Sequence, residues 1–168
     1  METDREKAMD DRLNELQHID TIKLVLLALV TLGIYLAIYI RRQSAVINEI
    51  ANESGNEITN ENGEQPGQPI PEWASLAPQI LAVISIFSLV LYLLNPSETM
   101  EHIDSATGLL FNISLVIWGF SARRSMHAIT SAKPRAKLWF DGFWTLLFSP
   151  FYFNYRVNVI FETESLAA

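Results

Sequence analysis

Four long apolar runs, two of them stopping at an arginine pair, limit what this chain can fold into. Residues 24–40 end at Arg41-Arg42, and residues 105–122 end at Arg123-Arg124. Between them residues 73–94 carry no charged side chain. A hydrocarbon core of ~30 Å needs ~20 predominantly apolar residues at 1.5 Å rise each, so these lengths suit a bilayer better than a globular core. In lipid a helix satisfies its own backbone while an open sheet edge cannot, so each run is expected to be helical. The expected fold class is all-α: a polytopic membrane protein, a bundle of about four transmembrane helices. The first three are placed near residues 22–40, 73–94 and 105–122, and the fourth within 138–161.

The fourth run is the shortest. Between Asp141 and Arg156 only fourteen residues lack charge, which is marginal for crossing. Pro150 interrupts it, and nine aromatics fall within residues 139–155. Tilting or snorkelling at Arg156 would extend it into a span. A re-entrant or interfacial segment is the alternative, because aromatic rings favour the headgroup level.

The polar stretches divide the rest. Residues 1–20 hold seven acids against three bases and read as an acidic tail or a short amphipathic helix. Residues 21–50 form the first transmembrane helix with a polar extension, and 51–71 a flexible loop rich in Asn, Glu, Gly and Pro. Residues 72–161 hold the remaining membrane helices, and 162–168 a C-terminal tail. No small-residue cleavage site follows the first run, so it is expected to be retained as a signal anchor. Residues 121–137 carry five bases and no acid, which marks that segment as cytoplasmic. With three or four spans, the N-terminal tail then falls on the opposite face.

The composition excludes more than it assigns. A formal charge of −7 argues against nucleic acid, whose phosphates demand basic clusters. The chain has no cysteine, so disulfides, thiolate catalysis and cysteine–metal sites are ruled out. His18, His102 and His127 are the only histidines and share no metal-binding spacing. Neither a G-x-S-x-G elbow, a phosphate loop nor a dinucleotide glycine pattern is present. No catalytic, cofactor-binding or metal residue is therefore assigned, and no cofactor is expected.

Polar and charged groups at membrane depth are the better pointers, since each is costly there unless paired or hydrated. Asp141 and Arg156 would lie ~22 Å apart along one helix and cannot pair within it, so each reads as an interfacial anchor. Asn112 and Asn154 read as helix-packing groups before they read as a permeation path. Arg41, Arg42, Arg123 and Arg124 mark the membrane interface. The two arginine-pair exits also align weakly with each other, as internal transporter repeats do. A basic exit followed by a polar tail explains that similarity more simply.

Residues 31–50, TLGIYLAIYIRRQSAVINEI, and residues 146–160, LLFSPFYFNYRVNVI, carry a family resemblance. A Thr-Leu-Gly-Ile-Tyr turn leads through aromatics to bases and an Ile-Asn-Glu tail. An aromatic segment later closes on Tyr155, Arg156 and Asn158. In both the chain resembles the bacterial membrane protein family called domain of unknown function 4234. That resemblance implies a small multi-pass protein of the bacterial inner membrane and supplies no reaction or ligand. The expected function is a non-catalytic scaffold, sensor or partner subunit, with the lipid bilayer and a second membrane protein or copy of itself as partners. The alternative is an oligomeric channel or small transporter whose polar path is lined by Asn112 and Asn154.

Overall fold

A computed structural model describes residues 16, 19–58, 68–130 and 139–165. They form five helices and, among the described residues, no strand: α1 (Thr21–Val30), α2 (Ile34–Ile58), α3 (Glu72–Leu94), α4 (Glu98–Thr130) and α5 (Gly142–Ser165). The all-helical expectation holds. The number and course of the long helices do not follow the expectation, because two of the four apolar runs are bent.

The first run is two helices. Asp20 opens α1, its Oδ1 accepting the amides of Ile22 (2.8 Å) and Lys23 (3.1 Å). α1 ends ten residues later in a Schellman arrangement: Gly33 N–H reaches Ala28 O at 2.7 Å and Leu32 N–H reaches Leu29 O at 3.2 Å. Leu32 and Gly33 both take positive φ, 50° and 89°. Thr31 joins the two helices, its hydroxyl donating to Leu27 O (2.7 Å) and accepting the Tyr35 amide (3.0 Å). Asn154 shows which way the chain goes: it accepts from the Tyr39 hydroxyl (3.0 Å) and donates to Thr21 Oγ1 (3.1 Å). A straight helix would hold Thr21 and Tyr39 ~27 Å apart. One amide reaches both, so α1 and α2 fold back as a hairpin.

The last run does the same. Ser149 departs from helical geometry (φ 37°, ψ −109°) directly before Pro150, dividing α5 into limbs 142–148 and 150–165. The Asp141 amide donates to the Tyr152 hydroxyl at 3.0 Å, and the rings of Phe140 and Phe153 stack with centroids 5.3 Å apart. Asp141 and Tyr152 would be ~16 Å apart in a straight helix, so α5 also folds back on itself.

Among the described residues, only α3 and α4 are long and apolar enough to cross a membrane, judged by length and composition. They pack on each other, and α3 buries a stripe of small residues, Ala74, Ser75, Pro78, Ala82 and Ser88. Their connection is shorter than expected. Residues 98–104, outside the expected span 105–122, form the first two turns of α4, leaving Asn95–Ser97 as the link. Ser88 donates to Asp104 Oδ1 (2.7 Å) and accepts from Thr107 (3.2 Å), tying the pair together near that end.

Both hairpins lean on the middle of α4. A Cβ on Gly33 would meet the Phe111 ring at 2.9 Å, and Ser149 Oγ donates to Leu115 O at 2.5 Å. Their open ends sit with the other end of α4, where Arg123 Nε donates to Phe140 O at 2.7 Å. Ile19, Arg41 and Phe140 therefore share one end, the base, and Asn95–Ser97 lie at the other. This corrects the expectation that the chain before the first run lies opposite the arginine pairs: the fold-back returns Ile19 to their side.

The segment read as a flexible loop is helical over Ala51–Ile58, the last two turns of α2. At its other end Ile70 is buried, and both its backbone groups pair with the Asn48 side chain (2.6 and 3.0 Å). Residues 59–67 lie outside the described residues, as do 1–15 and 166–168. At the base Ile47, Ile50, Ala51, Ile70, Met126, Ile129 and Phe140 build a small capping core.

Candidate functional site

Tyr39 and Gln43 sit one turn apart on the inner face of α2, and Asn154 and Asn158 one turn apart on the second limb of α5. That spacing lines them up across the gap between the two hairpins. Gln43 Nε2 donates to the Tyr39 hydroxyl (3.0 Å), which donates to Asn154 Oδ1 (3.0 Å). Asn154 Nδ2 donates in turn to Ile19 O (2.6 Å) and Thr21 Oγ1 (3.1 Å), and Asn158 adds a second donor to Ile19 O (2.8 Å). Gln43 and Asn154 are fully buried and Tyr39 is 1% exposed. The result is a directional chain of side chains that ties the start of α1, the middle of α2 and the end of α5.

A second polar contact closes α2 onto α4. Trp118 Nε1 donates to Ser44 Oγ at 2.8 Å, and Ser44 passes its own proton to Ile40 O (2.8 Å). Trp118 is fully buried and meets Phe153 edge-on, with centroids 5.4 Å apart. A tryptophan can be buried without penalty only when its N–H finds an acceptor, and Ser44 supplies it.

The third element clamps the approach to α5. Arg123 and His127 lie one turn apart on α4 and take hold of the backbone of Phe140 from both sides. Arg123 Nε binds its carbonyl (2.7 Å), and its amide donates to His127 Nε2 (2.9 Å). Only the neutral imidazole can accept there. His127 lies beyond the apolar stretch of α4 and stacks on Trp139 (4.1 Å), over which Arg123 also sits (5.4 Å). Burial, reinforced by the Arg123 charge, pushes the His127 pKa down from 6.5 to about 4. Asp141 then caps α5, its Oδ1 accepting the amides of Phe143 (2.9 Å) and Trp144 (3.3 Å).

These arrangements separate residues that looked alike in the sequence. Asn154 joins three segments, whereas Asn112 is exposed and bonds only within its own helix, to Gly108 O (2.8 Å). Arg41 reaches Gln79 on α3 (3.3 Å), while Arg42 and Arg124 are exposed at the base. Asp141 caps the first limb of α5 and is exposed, while Arg156 lies on the second limb and is half-buried. From sequence, Tyr39, Gln43, Ser44, Trp118 and Ser149 carry no site role, and Asn158 enters only through the family resemblance. The signal was present in the two pairs at i, i+4, Tyr39/Gln43 and Asn154/Asn158, each carrying hydrogen-bonding groups on one face of an apolar helix.

Chemically the network holds helices together. Among the described residues no three acids or histidines gather to hold a metal. His102 lies 3.9 Å from Glu98 one turn away, both side chains largely exposed on the first turns of α4. Comparison with protein-family models, with curated proteins and with solved structures finds no match for this chain.

Proposed function

We propose that the protein is a non-catalytic integral membrane protein of the bacterial inner membrane, working as a scaffold, sensor or partner subunit. The observation that carries this reading is an inverted distribution of polarity. Val30 (82% exposed), Leu94 (77%), Leu93 (66%) and Phe87 (64%) face outward while Gln43 and Asn154 are wholly inside. Of the apolar windows of α3 and α4 only 17% and 22% is buried within the protein. Soluble monomers rarely expose contiguous apolar patches beyond a few hundred Å², and a bilayer is the surrounding that such a surface fits.

In this reading α3 and α4 cross, and both hairpins enter from the base and turn inside the apolar layer. The base carries Arg41, Arg42, Arg123 and Arg124 and takes the cytoplasmic side. The bacterial inner membrane comes from the resemblance to domain of unknown function 4234. An oligomeric channel lined by Asn112 and Asn154 has less support, because the Asn154 amide is spent on Tyr39, Ile19 and Thr21.

The test is fractionation of the expressed chain with alkaline carbonate, followed by flotation with lipid. Retention in the membrane fraction is the expected result. Release into the carbonate supernatant as a monodisperse soluble species refutes the reading. For the partner role, crosslinking in membranes should trap a specific neighbour or a second copy through the exposed faces of α3 and α4.

A further inference from the structure

The fold is strongly asymmetric along the α3–α4 pair. Near the base six helical limbs lie side by side: α1, α2, α3, α4 and both limbs of α5. The first hairpin turns at Leu32–Gly33 beside Phe111, and the second at Ser149 beside Leu115 and Gly119. Past Phe111, α4 runs thirteen more residues to Glu98, ~20 Å, with α3 its one neighbour among the described residues. There the outward residues are Phe87, Leu93, Leu94, Leu109 and Leu110, all at least half exposed.

Resting on the membrane reading above, we propose that the protein is a one-sided wedge that bends the bilayer toward its base and prefers membrane already curved that way. A helix with its side chains is 10–12 Å across, a footprint of ~80–110 Å². Four extra limbs add ~320–440 Å² to the leaflet at the base and nothing to the deepest part of the other. Lipid must rearrange around that difference, and curvature with the base on the convex side removes it. Insertion of apolar helices from one face is sensitive to curvature for the same reason.

The wedge is also braced. Asn154 binds the first hairpin to the second, Trp118 binds α2 to α4, and Ser149 binds the second turn to Leu115 O. A floppy pair of hairpins would be squeezed aside by lipid, whereas a cross-linked one imposes its shape.

The full chain contains no cysteine, so single cysteines report sidedness cleanly. Gln68→Cys sits at the base and Thr99→Cys at the far end of α4, both at exposed positions. Each variant is reconstituted into small sonicated and large extruded vesicles of the same phosphatidylethanolamine–phosphatidylglycerol composition. Flotation confirms insertion, and an impermeant maleimide labels what faces outward. The convex outer leaflet of small vesicles should select the base, so the labelling ratio of Gln68→Cys to Thr99→Cys rises several-fold from large to small vesicles. A ratio independent of vesicle size, in protein that floats, overturns the wedge and leaves the membrane reading standing. Protein that does not float overturns both.

Discussion

Replacing Asn154 by alanine is the most discriminating perturbation of this fold. The side chain is fully buried, and its amide serves three partners on two other segments: Tyr39 Oη, Ile19 O and Thr21 Oγ1. Ile19 O keeps the Asn158 amide, and Thr21 stands at the start of α1. Tyr39 loses most, since its hydroxyl is left as a buried donor still accepting from Gln43. Hydrogen bonds between membrane helices average ~0.6 kcal/mol and reach ~1.7, and an orphaned buried group costs ~1–3 kcal/mol. Together they predict a loss of about 2–4 kcal/mol for Asn154→Ala. In a chain of this size that lowers the melting midpoint by about 5–10 °C.

Asn112→Ala supplies the contrast. Asn112 is exposed and bonds only to Gly108 O in its own helix, so the expected change is within about 0.5 kcal/mol. Both variants are to be measured in the same detergent, by thermal loss of near-ultraviolet circular dichroism. A double-mutant cycle with Tyr39→Phe should show coupling of about 0.5–1.5 kcal/mol to Asn154 and none to Asn112. Equal destabilisation by the two asparagine variants, or no coupling to Tyr39, would refute the account of the seam as the brace between hairpins.

Gly119→Ala should destabilise by about 1–3 kcal/mol, because its Cβ would strike Ser149 Oγ and lie 3.3 Å from Thr145 Cγ2. Gly108→Ala, with nothing within 4 Å, should be neutral or more stable by up to about 1 kcal/mol. Denaturation midpoints of the two variants check the pair. Leu32→Gly should raise stability by about 0.5–1 kcal/mol, since a leucine held at φ 50° is strained and glycine is not. A Leu32→Gly variant that gains no stability would count against that strain. The His127 pKa is depressed from 6.5 to about 4, so the unfolded chain takes up the proton first. Stability is therefore full above about pH 6.5 and falls as the pH drops toward 4, by about 1–2 kcal/mol once partial exposure is discounted. His127→Gln should flatten that slope in a pH series of melts.

Helical character was legible because apolar runs of this length leave the backbone no other way to satisfy itself. Where those helices bend was not. A window of apolar residues looks the same straight or folded back, and hydropathy carries no term for direction. At the first bend the glycine was visible, but the left-handed residue that caps α1 is Leu32, one position earlier, with Gly33 following it. At the second, Pro150 announced a break, and the residue before a proline is pushed out of the helical region. Yet a proline kink and a full reversal have the same sequence signature. What decides between them is tertiary: Asp141 meeting Tyr152, and Phe140 lying on Phe153, contacts between residues eleven and thirteen positions apart.

Two asparagines in similar apolar surroundings came apart for the same physical reason. Sequence gives the number of donors and acceptors on Asn112 and Asn154 but not what stands opposite each. Asn112 lies on an outward face of α4 and can only fold back on Gly108. Asn154 lies where the two hairpins meet, a junction that exists only because both runs reverse. The reversals thus create the buried polar seam, and the seam holds the reversals. Neither would be stable alone, since an unbraced hairpin turn leaves backbone carbonyls without partners and a buried unpaired amide is costly. That mutual dependence places Tyr39, Gln43, Asn154 and Asn158 at the point where a single substitution should disturb both hairpins together.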